Sequence, residues 1–347
     1  MYEALVMLCL SAAAPQQTCR DVLIPGYSAD TPDECVKDLA DRPPAWLADW
    51  PGWSATCAPQ TPSALAFDDI GQGVFVHFGA IAEADAHNRG DVANIAFVIG
   101  TASVAVIDSG GSRQVGEDVY RAVRERTALP ISHLILTHAH PDHIFGMPVF
   151  ADAGAQIVGH HALARALADR EHSYTSSFAG LIGAQAFIGS RVIAPGLAVE
   201  DTLQIDLGGR LLELRAWPTA HSTADLTVFD GATATLFAGD LLFDRYTPAL
   251  DGSLTGWQAA MAGMLAIPAR RVVPGHGGPV LPWPGGMEPQ MRYLSVLAAD
   301  TRSAIASGLT MSDAVEVIGR SEAGNWLLFD LFNPRNATTA FSEFEWE

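Results

Sequence analysis

Seven consecutive residues decide the fold of this chain: Thr137-His138-Ala139-His140-Pro141-Asp142-His143. They follow the apolar segment 132–136, which predicts a strand that carries them to the edge of a sheet. His138 and His140 are two residues apart on extended backbone, so their rings can point to the same side. Asp142 and His143 follow where the chain turns towards a helix. Three imidazoles and one carboxylate are a nitrogen and oxygen set that suits zinc, so this stretch predicts a metal site.

Three more ligand-type residues occur just beyond predicted strands. His221 and Asp240 each follow a strand, and His276 lies in a glycine-flanked loop after the last short strand. Binding sites of layered α/β proteins collect at strand ends, so these side chains are expected to join the first group. Asp108 is a candidate for orienting a ligand histidine, and the alternative is that it caps the following turn. The remaining histidines are expected to be structural or to lie at the rim of the site: His77, His87, His133, His160, His161 and His172.

The apolar segments between residues 67 and 273 have an α/β character. Short apolar runs predict strands, and helical spacing near 115–125, 161–167 and 254–267 separates them. A helix and a loop near the site are expected at 173–197. Two predictions concern the last part of the chain: helix at 288–318, and an aromatic and acidic tail at 341–347.

The order of the ligand-type residues resembles that of the metallo-β-lactamase superfamily. The signature of this superfamily is His-x-His-x-Asp-His followed by separate His, Asp and His residues, and the resemblance covers roughly residues 67–282. It implies an α/β fold in the form of a four-layer αβ/βα sandwich with the metals at one edge. We therefore expect a catalytic domain at 63–300, followed by a C-terminal helical segment and acidic tail at 301–347.

The resemblance also implies two zinc ions per chain. The expected ligands are His138, His140 and His221 for the first ion, Asp142, His143 and His276 for the second, and Asp240 as the bridge. Such a site implies a zinc-dependent hydrolase that uses a metal-bridging hydroxide on an ester, thioester or amide-type carbonyl. Asp142 is also expected to be catalytic, by steering the nucleophile or shuttling a proton. Activity should fall at low pH, because the ligands must stay deprotonated.

The N-terminal region differs from the rest in composition. The apolar stretch within 1–14 is typical of a signal peptide with cleavage near 11–13, and the alternative is a short buried N-terminal helix. Residues 15–62 form an extension rich in Cys, Trp and Pro. Removal of the signal would leave three cysteines, one of them unpaired, and the sequence does not fix their pairing: Cys19, Cys35 and Cys57. The signal predicts a periplasmic or secreted protein, with a cytoplasmic one as the alternative, and a disulfide is expected in the N-terminal region.

Within the superfamily, the chain most resembles zinc metallohydrolases associated with bacterial quinoprotein dehydrogenase systems. The segments that carry this resemblance are 43–46, 50–53, 221–229, 333–336 and 345–347. The resemblance implies a quinoprotein dehydrogenase as a partner, in addition to a small-molecule substrate. It does not name that substrate, whose recognition we expect in the loops 78–93 and 173–197.

Other functions compete with this interpretation. A β-lactamase is one alternative, although Asp240 at the bridging position is typical of thioesterase-like members. A mononuclear iron sulfur dioxygenase and a non-catalytic metal-binding accessory protein are the others. The net charge of −19, without a cluster of Lys and Arg, disfavours nucleic-acid partners. No apolar run approaches the roughly 20 residues that span a membrane, so stable insertion is not expected.

Overall fold

The computed structural model describes residues 1–10, 18–50 and 53–346. Two large sheets pack against each other, and the N-terminal region forms a third, small sheet. The small sheet is antiparallel, and its first strand lies in the centre. In the order β2-β1-β3 it contains β1 (Tyr2–Cys9), β2 (Cys19–Ala29) and β3 (Ser54–Pro59).

The first large sheet has seven strands, which follow the chain from one edge to the other. They are β4 (Asp68–Gly71), β5 (Val74–His77), β6 (Ile95–Ile99), β7 (Val104–Ile107), β8 (Ile131–Ile135), β9 (Gln156–His160) and β10 (Leu197–Val199). The pairs from β4 to β7 are antiparallel, and those from β7 to β10 are parallel. Strands β6 and β7 are apolar along almost their whole length because both faces of the sheet are covered.

The second large sheet has six strands, also in chain order. They are β11 (Thr202–Asp206), β12 (Leu211–Ala216), β13 (Leu226–Asp230), β14 (Thr235–Phe237), β15 (Arg271–Val273) and β16 (Leu281–Pro282). All pairs are antiparallel except β14 with β15, which are joined by a helical crossover.

The described residues also form ten α-helices. They are α1 (Pro32–Asp41), α2 (Arg113–Arg124), α3 (Pro141–Ile144), α4 (Met147–Asp152), α5 (Leu163–Ile182), α6 (Ala184–Phe187), α7 (Leu254–Met264), α8 (Glu288–Ala306), α9 (Met311–Val315) and α10 (Phe329–Phe344). Within the described ranges, none of the helices combines the length and the apolar character needed to span a bilayer.

Three apolar cores define the layers. One joins helices α2–α6 to the first large sheet, a second lies between the two sheets, and a third joins the second sheet to α7–α10. Val98 of the first sheet and Leu214 of the second both belong to the middle core and are fully buried. The predicted four-layer αβ/βα sandwich is therefore confirmed.

The N-terminal segment is a strand, so the alternative of a short N-terminal helix is wrong. Every second residue from Ala4 to Leu8 is buried, as expected for a strand with one covered face. Strands β2 and β3 supply its hydrogen-bond partners on both sides. All four cysteines are paired, as Cys9–Cys19 and Cys35–Cys57. The cleavage site expected at 11–13 lies outside the described residues, and cleavage stays a prediction.

Two helices run further than their sequence patterns indicated. Helix α5 continues to Ile182, well beyond residue 167. The sequence pattern did not indicate this length, because few side chains of the helix are buried and the apolar spacing is therefore weak. The expected aromatic tail begins inside α10, whose Phe341 and Phe344 are buried against the third core. The interpretation of residues 341–344 as a tail is therefore wrong, since these aromatic side chains are packing residues of a helix.

Candidate metal centre

All seven predicted ligands meet at one edge of the two large sheets. His138 and His140 follow β8, and Asp142 and His143 belong to the first turn of α3. The other three lie in separate loops: His221 between β12 and β13, Asp240 after β14, and His276 after β15. Their metal-ligating atoms form two groups, each lying within 4.8 Å: His138, His140, His221 and Asp240, and then Asp142, His143 and His276.

In the first group, three imidazole nitrogens converge on one point. His140 Nδ1 lies 3.0 Å from His138 Nε2 and 2.9 Å from His221 Nε2. Asp240 Oδ2 lies 3.6 Å from His138 Nε2 and 3.5 Å from His221 Nε2. Ligands about 2.0–2.1 Å from a tetrahedral zinc are separated by about 3.3 Å, close to these distances.

In the second group, a carboxylate and two imidazoles converge. His276 Nε2 lies 3.2 Å from Asp142 Oδ2 and 3.4 Å from His143 Nε2. Asp240 also reaches this group, with Oδ1 3.2 Å from His143 Nε2 and Oδ2 3.2 Å from His276 Nε2. The carboxylate of Asp240 therefore lies between the two groups.

The donor atoms fit a pair of divalent cations. Asp240 Oδ1 is buried and accepts no hydrogen bond from any described residue, which is costly for a carboxylate oxygen without a cation. The set is composed of five imidazoles and two carboxylates, with no thiolate, and suits zinc among the common metals. The residues present are therefore sufficient for two metal ions that share one carboxylate.

Comparison with known proteins agrees with this geometry. The sequence model of the metallo-beta-lactamase superfamily matches residues 88–276. This chain belongs to the metallo-β-lactamase superfamily. Comparison with curated proteins gives no match.

Solved structures of the superfamily share the fold at low sequence identity. The metallo-beta-lactamase from Pontibacter korlensis is 20% identical with a TM-score of 0.53, and the match covers 67% of this chain and 99% of that one. The metallo-beta-lactamase DIM-1 is 15% identical with a TM-score of 0.53, covering 67% and 97%. The sec-alkyl sulfatase PisA1, as a double mutant, is 15% identical with a TM-score of 0.61, covering 81% of this chain and 50% of that one.

In this superfamily member, Asp108 orients two of the predicted ligand histidines at the ring nitrogen that points away from the other ligands. Its Oδ2 accepts hydrogen bonds from Thr137 Oγ1 and from His143 Nδ1, both at 2.8 Å. Thr137 Oγ1 in turn lies 3.0 Å from His138 Nδ1. Asp108 has a φ of 60°, a left-handed conformation that Asp tolerates better than most residues. The carboxylate of Asp108 therefore orients a ligand histidine, which goes beyond the alternative role of capping the following turn.

The other three ligand histidines are also held at their second nitrogen. His221 Nδ1 lies 2.6 Å from the carbonyl oxygen of Ala249, and His276 Nδ1 lies 2.9 Å from that of Val92. His140 Nε2 lies 3.1 Å from Asp251 Oδ2. Sequence reasoning missed Asp251, because it does not follow a strand and no motif marks it. Such contacts fix the ring orientation and the tautomer of a ligand histidine.

The pKa values of the buried histidines shift in opposite directions in the two groups. Burial lowers the pKa of His138 well below its usual value and that of His221 to about 3. Burial opposes protonation of His143 and His276 too, but the charges of Asp240 and Asp142, together with hydrogen bonds to carboxylates, outweigh it. They raise the pKa of both histidines, that of His276 to about 9. Metal binding to the second group must therefore displace protons.

The metal ligands border a cavity of about 430 Å³, within the usual range for small-molecule sites. Its walls come from the loop at 82–84, from α5 and from α10. Much of the wall is apolar, with Phe178, Leu181, Phe243 and Phe332. A larger cavity of about 650 Å³ lies between the N-terminal sheet and α2, but none of its lining residues is a ligand candidate of the metal centre.

The structure places the remaining histidines away from the two groups. His160 Nε2 lies 3.0 Å from the carbonyl oxygen of Trp217, and His77 Nε2 lies 2.8 Å from Asp91 Oδ1. His161 is half exposed beside Glu200, and His133 contacts Ser132. None of these contacts reaches the cavity, and each gives its histidine a local structural role.

Proposed function

We propose that this protein is a dinuclear zinc hydrolase that cleaves an ester, thioester or amide-type carbonyl in a small molecule. The observation that carries the proposal is the position of Asp240, whose two oxygens face both ligand groups. When bound, zinc would supply a Lewis acid and a water molecule whose pKa is lowered to about 7.

Asp142 is the proposed catalytic residue of the chain itself. Its side chain is 17% exposed, whereas that of Asp240 is 4% exposed, so Asp142 is the more accessible of the two carboxylates. The charge of His143 and the hydrogen bond from His276 overcome burial and lower the pKa of Asp142 to about 2. Asp142 is therefore ionised at neutral pH, and its free oxygen can orient a water molecule or accept a proton from it.

One feature favours this function over a mononuclear iron sulfur dioxygenase. Such an enzyme needs one metal, whereas the residues here form two groups, and Asp240 of the first group also contacts the second. A metallo-β-lactamase has the same fold, but the likeness to such enzymes at 15–20% identity concerns the fold alone. The accessory-protein hypothesis differs from ours in predicting metal binding without turnover.

The test combines metal analysis with a substrate panel. Purified protein is expected to hold about two zinc per chain and to hydrolyse members of a panel of esters, thioesters, lactones and β-lactams, with loss of activity on chelation. His221→Ala and Asp240→Ala should each lose metal and activity. His133→Ala is the matched control, because His133 lies on β8 outside both groups. One iron per chain, or two zinc without hydrolysis of any member of the panel, would overturn the proposal.

We also propose that the protein works in a periplasmic or secreted setting, beside a quinoprotein dehydrogenase. The support for the compartment is the disulfide Cys35–Cys57, which cleavage near 11–13 would leave intact, because disulfides persist in oxidising environments. The support for the partner is the set of sequence segments that resemble the quinoprotein-associated hydrolases. Fractionation of cells and co-purification with a tagged dehydrogenase test the two statements separately: recovery only from the cytoplasm contradicts the first, and absence of co-purification contradicts the second.

A further inference from the structure

The C-terminal helix forms part of the wall of the metal cavity. Phe332, Arg335, Asn336 and Thr339, all on α10, line it together with the ligands His140, Asp142, Asp240 and His276. The segment that matches the superfamily ends at residue 276, before this helix begins. The cavity therefore combines a metal centre of the superfamily with side chains from outside the matched segment.

Arg335 is the cationic side chain in this wall. It is exposed, and its guanidinium lies over the Phe332 ring, 5.6 Å from the centroid. Across residues 1–10, 18–50 and 53–346, no carboxylate forms an ion pair with it and no side chain hydrogen bonds to it. Among the described residues that line the cavity, Arg335 is the one Lys or Arg side chain.

The other charged groups of the cavity are mostly engaged. Asp142 and Asp240 face the ligand histidines, and Asp251 contacts both His140 and Arg170. Glu83 lines the cavity as well, but it forms no ion pair with Arg335. The lining also includes Phe243, whose ring stacks on His276, and Phe332, whose ring lies beneath Arg335. As far as the described residues show, the cavity thus offers a metal site, an apolar wall and one cation without an ion pair.

We propose that Arg335 binds a carboxylate at the far end of the acyl group of the substrate. This statement rests on the proposed function and adds a substrate class: half-esters or half-thioesters of dicarboxylic acids. The planar guanidinium matches a carboxylate with two parallel hydrogen bonds. A doubly charged phosphate is disfavoured, because one arginine in a protein of net charge −19 gives too little compensation.

Binding of the product acids tests the proposal without turnover. The zinc-loaded protein is titrated calorimetrically with dicarboxylates and with monocarboxylates of equal length: glutarate against pentanoate, adipate against hexanoate, and suberate against octanoate. We expect at least one dicarboxylate to bind about tenfold more tightly than its partner, the effect of one partly exposed charge-assisted hydrogen-bonded pair.

Variants assign that preference to Arg335. Arg335→Gln removes the charge but keeps a polar side chain, so it should abolish the preference while leaving monocarboxylate affinity unchanged. Arg335→Lys should retain part of it. Arg165→Ala removes an equal charge from an exposed position of α5, and should retain all of it. Absence of a preference in the wild type, or its persistence in Arg335→Gln, would overturn the proposal.

Failure of the hydrolase proposal has a different signature. If the protein binds two zinc and prefers dicarboxylates through Arg335, but hydrolyses none of the corresponding thioesters, the proposed function fails and the assignment of Arg335 stands. If it hydrolyses thioesters of dicarboxylic and monocarboxylic acids with equal kcat/KM, and Arg335→Gln changes neither value, the proposed function stands and the assignment of Arg335 fails.

Discussion

Two regions lie outside the segment that matches the superfamily, and they are attached in different ways. The N-terminal region, described at 1–10, 18–50 and 53–62, packs on the outer helices of the first large sheet. The C-terminal segment from α8 to α10 packs on the second sheet and reaches the loops of the metal centre. The N-terminal region is attached by buried charges. The C-terminal segment is attached by hydrogen bonds to a loop whose residues contact two of the ligand histidines.

The N-terminal attachment is an ion-pair network at α2. Arg20 lies 2.7 Å from Glu117, and Arg113 lies 2.7 Å from Asp152 while also donating to the carbonyl oxygen of Leu23 at 3.0 Å. None of the described residues before 63 lines the metal cavity. This region should therefore affect stability far more than chemistry.

The C-terminal segment is attached to the loop at 247–251 by hydrogen bonds of Asn336. Asn336 accepts a hydrogen bond from the Leu250 amide at 2.9 Å and donates to the carbonyl oxygen of Pro248. The same loop provides Ala249 and Asp251, which hold His221 and His140. Helix α10 is thus coupled to the metal ligands through one short loop, and we expect its alteration to change metal affinity.

The largest effect on stability should come from Arg113→Met. Arg113 is fully buried, and its removal leaves Asp152 without its close cationic partner and Glu117 with Arg20 alone. Breaking a buried pair in this way typically costs about 3–5 kcal/mol. We expect a decrease of that size in the free energy of unfolding, measured by urea titration, with zinc content and kcat unchanged in the folded protein.

A double change at this site provides the control. Arg113→Met combined with Asp152→Leu removes both charges, so it should recover part of the lost stability. If the single variant instead loses zinc while it remains folded, the separation between the two regions is wrong.

The next effect compares two buried asparagines of α10. Asn333 and Asn336 both hydrogen bond with Tyr293 Oη, but only Asn336 also contacts the loop at 247–251. Each change to Ala should lower the free energy of unfolding by about 2–3 kcal/mol, because buried partners are left unsatisfied. Asn336→Ala alone should also weaken zinc binding, measured by competition with a chromogenic chelator. Equal zinc affinities in the two variants would show that α10 supports the fold but not the ligands.

The sequence predicted the metal-bearing part of the molecule well for physical reasons. The ligands follow apolar strands, and buried strands of parallel and mixed sheets have a strong pattern. His221, Asp240 and His276 could be placed together because strand ends meet at one sheet edge. The pairing of the four N-terminal cysteines was not predictable, because it depends on distances in space that sequence spacing alone does not fix.

The contribution of the C-terminal helix could not be predicted from local patterns. Arg335 and Asn336 have no strand end or ligand motif near them, and they reach the site only through tertiary packing of α10. Asp251 is similar, since its role depends on the position of His140 in space. The burial of Phe341 and Phe344 likewise follows from the packing of α10, which a tail-like composition did not indicate.

A smaller effect is expected from Asp251→Asn. This change keeps the shape of the side chain but weakens the contact with His140 Nε2 and removes the ion pair with Arg170. Loss of a partner of a ligand histidine typically weakens metal binding by roughly 10- to 100-fold, and the partial exposure of Asp251 favours the lower limit. Zinc competition measures it, with Asp169→Asn as the control, because Asp169 pairs with Arg165 on the surface of α5. Equal affinities would exclude a role for Asp251 in orienting His140.

The pH dependence of stability tests the metal centre itself without any substitution. In the metal-free protein the pKa of His276 is raised from 6.5 to about 9, against burial, by the charge of Asp240 and the contact with Asp142. A raised folded-state pKa stabilises the fold fully below the unfolded value, and this contribution is lost as pH rises from 6.5 to 9. Each such proton changes the free energy of unfolding by at most about 1.4 kcal/mol per pH unit. The metal-free protein should therefore lose stability between pH 6.5 and 9, and the zinc-loaded protein should not, because zinc requires neutral imidazoles.

Urea titrations of both forms across this range measure the difference, and parallel curves would mean that His276 does not hold its proton through contact with the two carboxylates.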